Sequence, residues 1–106
     1  MTVLIIYFNL RNVDEAQYER LCAEAAPAFA AVPGLTSKIW IKNSDTGTYG
    51  GIYVFETRDA LNRFQESDLF RSLAVNKNLM HITADDFDVI EAPTRVTHGI
   101  LAAVGS

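Results

Sequence analysis

The spacing of hydrophobic and polar positions changes several times along the chain. Residues 2–10, Thr-Val-Leu-Ile-Ile-Tyr-Phe-Asn-Leu, are an almost continuous apolar run rich in β-branched and aromatic types. Such a run predicts a strand covered on both faces and central in its sheet. Tyr7 and Asn9 share one face of it by the period of two. From residue 13 to 32 the period is helical. Tyr18, Leu21, Cys22, Ala25, Phe29 and Val32 fall on one apolar stripe. Asn12 with Glu15, or Asp14 with Gln17, can close a capping box at its start. Pro27 lacks a backbone donor and predicts a kink or an end near Ala26. Pro33-Gly34 then stops the helix and turns the chain.

The segment from Leu35 to Thr57 is the most regular in the chain. Two β-rich runs flank Asn43-Ser-Asp-Thr-Gly47, which predicts a hairpin. Pairing Asn43 with Thr48 sets Trp40 opposite Gly51 and Lys38 opposite Tyr53. Lys38, Trp40, Lys42, Tyr49, Gly51, Tyr53 and Phe55 then share one face, and Ile39, Ile41, Ile52 and Val54 the other. The aliphatic face suits plain packing. The aromatic face carries hydroxyl, indole and ammonium groups, and it serves either as ordinary core or as a pocket for a planar organic molecule. Gly51 leaves room beside the Trp40 indole. A bulge at Gly50-Gly51 would reverse this assignment.

Beyond the hairpin, Thr57 is an N-cap for a short helix with Ala60, Leu61 and Phe64 inward and Arg58, Arg63 and Glu66 toward water. Ser67-Asp68 can cap a second short turn carrying Leu69, Phe70 and Leu73. Asn76-Lys-Asn78 reads as a loop, residues 79–91 as a strand around Phe87, Val89 and Ile90, and Ala92-Pro93 as its end. The tail from Thr94 holds one apolar patch, Ile100 to Val104. The order β-α-β-β-α-β is the ferredoxin-like α+β arrangement, an antiparallel sheet with its helices on one face. Both faces of that sheet are apolar or aromatic, so a partner's sheet is expected on the second one.

Composition narrows the function. With 106 residues the chain forms one domain, and 49% hydrophobic content is high for so small a monomer. A net charge of −4 without any Lys/Arg cluster argues against nucleic-acid binding. The first apolar run lacks a basic leader and is too short to span a bilayer. The single cysteine, Cys22, excludes an intramolecular disulfide, fits a reducing cytoplasm, and reads as core. Asp85, Asp86 and Asp88 have no histidine at ligand spacing and read as a solvated strand edge, not as a metal site. There is no phosphate-binding glycine loop.

Pro33-Gly-Leu35 leading into Lys38-Ile-Trp40, then Gly50-Gly-Ile-Tyr-Val-Phe55, then Phe87-Asp-Val89 before Pro93 resemble the YdhR-type monooxygenases of the dimeric α+β barrel superfamily. The resemblance spans roughly residues 3–100. It implies a homodimer with two sheets packed face to face. Relatives in antibiotic biosynthesis oxidise polycyclic phenols with O2 and use no metal, flavin or haem. That chemistry needs a base to form the phenolate, donors to hold it and a dry aromatic pocket. The resemblance carries Trp40, Tyr53 and Asn9 over as positioning and oxyanion groups. His81, ahead of the last strand, is the candidate base, or else an exposed loop histidine; His98 falls in the tail, toward partner or solvent. Tyr7, Gly51, Phe55 and Phe87 are expected to line the substrate pocket. Two other functions share the fold. One is a non-catalytic small-molecule-binding or stress-response dimer. The other is a haem-degrading enzyme, whose iron-ligating histidine on the second helix has no counterpart in residues 57–74.

Overall fold

The computed structural model describes residues 1–100. The elements are β1 (Thr2–Leu10), α1 (Glu15–Ala30), β2 (Leu35–Asn43), β3 (Thr48–Phe55), α2 (Arg58–Gln65), α3 (Asp68–Ala74), β4 (Leu79–Asp88) and α4 (Glu91–Val96). The strands form one antiparallel sheet in the order β2-β3-β1-β4, the ferredoxin-like topology. β1 is central, as its apolar run predicts.

The hairpin register is the one the sequence favours. Asn43 pairs with Thr48, Trp40 with Gly51, and Lys38 with Tyr53. The irregularity lies between Leu35 and Ser37 and not at Gly50-Gly51, so the two faces keep their identities. The aromatic face turns toward the helices. There Leu4, Ile6 and Phe8 of β1 join Tyr49, Tyr53 and Phe55 of β3 and Phe29, Leu61 and Phe64 of the helices in one buried cluster. Among the described residues no helix covers the opposite face of the sheet. On it Ile39 is 54% exposed, Phe87 55% and Tyr7 40%. β1 is therefore buried on one face only within its own chain. Among the described residues no helix is long and apolar enough to cross a membrane.

The capping choices resolve cleanly. Asp14 and Gln17 close the box on α1, Thr57 caps α2 and Ser67 caps α3. Two expectations are corrected. Of the two outcomes set out for Pro27, the end near Ala26 does not occur, because the helix continues to Ala30. Ala23, whose carbonyl loses its partner, and Pro27 both lie on the solvent side, where water can satisfy that carbonyl. Phe29, two residues on, is buried in the core, and its burial outweighs one lost hydrogen bond. The last strand ends at Asp88, and Ile90 to Pro93 open the short helix α4. Only Ile100 of the tail's apolar patch falls within the described residues.

The acidic end of β4 is not simply solvated. Arg58, at the start of α2, reaches Asp86 at 2.6 Å and Asp88 at 2.9 Å. These are exposed ion pairs on the edge strand and tie α2 to it. Among the described residues no group of three metal-ligating side chains is assembled.

Candidate active site

A cavity opens between the aromatic face of the hairpin and α1. Its floor is Lys38, Trp40, Gly50 and Tyr53 with Phe8 of β1. Its wall is the α1 stripe, Tyr18, Leu21, Cys22, Ala25 and Phe29. Leu73, Asn76, Asn78 and Leu79, from the end of α3 and the turn into β4, complete the rim. The free room is about 110 Å³, somewhat under the ~150 Å³ apolar cavity that takes up benzene. The room is close to that of a single aromatic ring, and a larger molecule must extend through the open side.

The helix sits over the hairpin because the sequence ties it there twice. Phe29 packs edge-on against Trp40 at 5.4 Å between ring centroids. At the other end Glu15 accepts hydrogen bonds from Lys42, Ser44 and the Tyr49 hydroxyl. Those donors, Ser44 first, hold its carboxyl below the usual carboxylate range.

The polar groups of the cavity are few. The Lys38 amine lies 3.3 Å from the Phe29 ring centroid, 3.4 Å from Trp40 and 4.6 Å from Tyr53. Among the described residues it makes no ion pair. Burial pushes Lys38 far below the ordinary lysine range, to about 7, with Cys22 acting weakly the other way. The ring faces attract the ammonium form by roughly 0.5–2 kcal/mol and moderate that shift. Burial also raises Tyr53 and Tyr18 well above the usual phenol range. Both therefore stay neutral hydroxyls at physiological pH, able to donate a hydrogen bond but unable to act as bases.

A stability prediction follows from Lys38. Below about pH 7 the amine is charged in folded and unfolded chains alike, and the folded chain bears the full cost of burying it. Between there and the ordinary lysine value of 10.5 the unfolded chain binds the extra proton, so stability rises with pH. Urea unfolding across that window is expected to show the rise in wild type and to lack most of it in Lys38→Met. Parallel profiles for the two would contradict the assignment.

The sequence-derived candidates divide between the two sheet faces. Trp40 and Tyr53 line the cavity. Gly51 and Phe55 are on the same face but behind it, and Phe55 is fully buried. The room expected beside Gly51 is already filled: a Cβ there would stand 3.0 Å from Lys38 Cε and 3.1 Å from the Tyr53 ring. Tyr7, Asn9 and Phe87 lie on the helix-free face, joined there by His81. His81 lies inside β4, at a register break, with φ of 55°. Its Nδ1 is 2.9 Å from Asn9 Oδ1, and Asn9 Nδ2 donates to the Gly47 carbonyl at 2.8 Å. The amide is thus oriented by the hairpin turn, and its oxygen accepts the Nδ1 proton of His81. The sheet separates this pair from the cavity. Of the lining residues only Trp40 and Tyr53 were named as a site from the sequence; Lys38, Cys22, Tyr18 and Phe29 are among those that were not. Lys38 was legible in part, since the register already set it beside Trp40 and opposite Tyr53.

A ferredoxin-like sheet with a small aromatic cavity under its first helix defines the class, an α+β protein with a cavity between its sheet and first helix. The family described as "Putative mono-oxygenase ydhR" matches residues 3–100, and the chain belongs to that family. Three solved structures share the fold. SnoaB, a cofactor-independent oxygenase from Streptomyces nogalater, is 21% identical, with 83% of this chain and 91% of that one covered at a TM-score of 0.67. A protein of unknown function from Nitrosomonas europaea is 18% identical, with 86% and 90% covered at 0.72. The heme-degrader MhuD from Mycobacterium tuberculosis, with two hemes in its active site, is 16% identical, with 85% and 96% covered at 0.69. None of the curated proteins compared matches the chain.

Proposed function

We propose that this protein is a cofactor-independent monooxygenase that uses O2 on a small phenolic aromatic or polyketide-like molecule. The observation that carries the reading is the cavity itself. The partly exposed Trp40 indole offers ring surface, Phe29 and Tyr53 make the buried aromatic wall, and the few polar groups, Lys38 among them, are placed to meet one hydroxyl. Membership of the mono-oxygenase family supports it, and so does the fold shared with SnoaB. The test is O2 uptake by purified protein with a panel of phenols and phenolic polyketides. Uptake coupled to an oxidised product supports an oxygenase. Saturable binding without uptake favours the non-catalytic binding protein. Because MhuD shares the fold, haemin belongs in the same panel; a stoichiometric, saturable Soret shift with haem turnover would favour haem chemistry instead.

Trp40 should matter more to binding than to folding. It is 36% exposed, so Trp40→Ala is expected to cost less than the ~3–5 kcal/mol of a fully buried aromatic deletion. Calorimetric titration with a bound phenol should show at least a tenfold loss of affinity. A folded variant that binds normally would remove Trp40 from the site.

The helix-free face supports a homodimer, in which Ile39, Tyr7 and Phe87 are covered by a second copy. An obligate interface of this kind buries roughly 2,000 Å² or more. Asn9 and His81 then belong to that interface and not to the ligand cavity. Sedimentation is expected to show a dimer at micromolar concentration; a stable monomer would refute it.

A further inference from the structure

We propose that Lys38 is the acid–base group of the cavity: its amine takes the proton of a phenol seated there and holds the product as an ammonium–phenolate pair. The inference deepens the oxygenase reading and rests on it for the ligand class. It does not depend on the oxidation that follows.

Geometry singles out this side chain. The stem of Lys38 runs along Gly51, and its amine lies among the rings of Phe29, Trp40 and Tyr53. Among the described residues it has no hydrogen-bond or ion-pair partner, and none of their polar side-chain atoms is both sealed and unpartnered, so the amine is not sealed off, and Lys38 belongs to the cavity lining. A lysine on a sheet face would ordinarily extend to water or pair with a carboxylate. Lys42, two residues on and on the same face, does so with Glu15 and Glu19. Those carboxylates are thereby engaged outside the cavity, and no carboxylate or histidine belongs to its lining.

The other groups facing Lys38 do not compete for the role. Tyr18 from α1 and Tyr53 from β3 are held in their neutral forms by burial. Asn76 and Asn78 at the rim do not titrate. Cys22 is the remaining titratable group of the lining, and its substitution is therefore one arm of the test. Burial lowers the proton affinity of Lys38, so a fraction of neutral amine is available near neutral pH.

The step is a proton transfer and balances without any co-reactant. The phenol O–H bond breaks, an N–H bond forms at Lys38 Nζ, and both oxygen electron pairs stay on the phenolate. Before and after transfer the cavity carries no net charge from the pair. The charges appear next to each other and not as a lone anion in a dry site. The ring faces favour the ammonium as it forms. The Tyr53 hydroxyl can donate to the phenolate oxygen. On release the proton returns to the ligand or to water.

The test uses 3-nitrophenol, a single-ring probe that is mainly neutral at about pH 7.5, where lysine amines are ordinarily charged. Its phenolate absorbs visible light. Calorimetry reports occupancy and absorbance reports where the proton is. Wild type is expected to bind the probe, to raise the phenolate band on binding, and to show the same binding heat in buffers of different ionisation enthalpy. Lys38→Met should bind with no rise in the band. Lys38→Arg keeps a cation that cannot accept the proton, so any phenolate it holds must come with a proton released to buffer. Cys22→Ser alters the cavity wall and so its affinity, but it is expected to keep the phenolate band at saturation; loss of the band there with Lys38 intact overturns the assignment to Lys38. Binding by wild type without the band, or an equal band in Lys38→Met, overturns the role of Lys38 and leaves the cavity reading standing. Absence of binding in every form overturns the cavity reading and the lysine role together.

Discussion

Gly50→Ala is expected to unfold the domain or to leave it barely folded. Gly50 lies inside the sheet, paired with Tyr7 of β1 on one side and Ile41 of β2 on the other. A Cβ built there would stand 1.9 Å from the Ile6 carbonyl oxygen, 2.9 Å from its carbon and 3.2 Å from the Tyr7 Cα. All three are backbone atoms of the central strand, so no side chain can swing away to relieve the contact. Either β1 and β3 part or the register is lost. Overpacking of side chains costs about 1–3 kcal/mol, and backbone against a Cβ lies at or above the top of that range. For a domain of this size that lowers the thermal midpoint by roughly 10 °C or more. Gly51→Ala is the contrast. Its new Cβ meets Lys38 and Tyr53 side-chain atoms at 3.0 and 3.1 Å, and the lysine stem can move. Thermal unfolding of both variants decides the matter; a Gly50→Ala protein melting within a few degrees of wild type would contradict the packing.

Phe64→Ala is expected to cost about 3–5 kcal/mol, the range for deleting a buried aromatic ring. Phe64 is 2% exposed and is the meeting point of the ring cluster. Its centroid lies 5.3 Å from Tyr53, 5.5 Å from Phe55, 5.5 Å from Phe70 and 6.4 Å from Phe29. Such ring pairs contribute beyond their buried area, and four are lost together. Against a typical total of about 5–15 kcal/mol the variant keeps a small margin or none. The effect should reach the cavity as well, because Phe64 props Tyr53 and Phe29 from behind. Urea unfolding with phenol binding on the same samples is expected to show both losses; a change under about 1 kcal/mol would mean that the core closes over the gap.

These two residues differ in how far the sequence announces them. Phe64 stands on a short apolar stripe after an N-cap, and its inward direction is plain from spacing alone. Gly50 reads only as a glycine inside a strand, compatible with a bulge. Its requirement comes from the backbone of a strand some forty residues earlier. Pro27 shows the opposite failure. The local rule against proline in a helix is sound, but the burial of Phe29 and the exposure of the freed carbonyl override it.

The sequence by itself determined the order of the four strands and the helices between them, the caps at Thr57 and Ser67, and the hairpin with its favoured register. These follow from local spacing and turn chemistry, in which neighbours along the chain are also neighbours in space. It left two alternatives for the first capping box and did not show the short helix α4. It did not determine which face the helices cover, because both faces are apolar enough to be buried. Only the tertiary structure set α1 over the aromatic face. That placement separates Trp40 and Tyr53 from Asn9, Tyr7, His81 and Phe87, which period-two counting alone cannot do across strands of unknown relative register. It also made Lys38 a cavity group. A lysine beside a tryptophan is an ordinary strand residue until a helix closes over it, strips away much of its water and sets its amine among three rings.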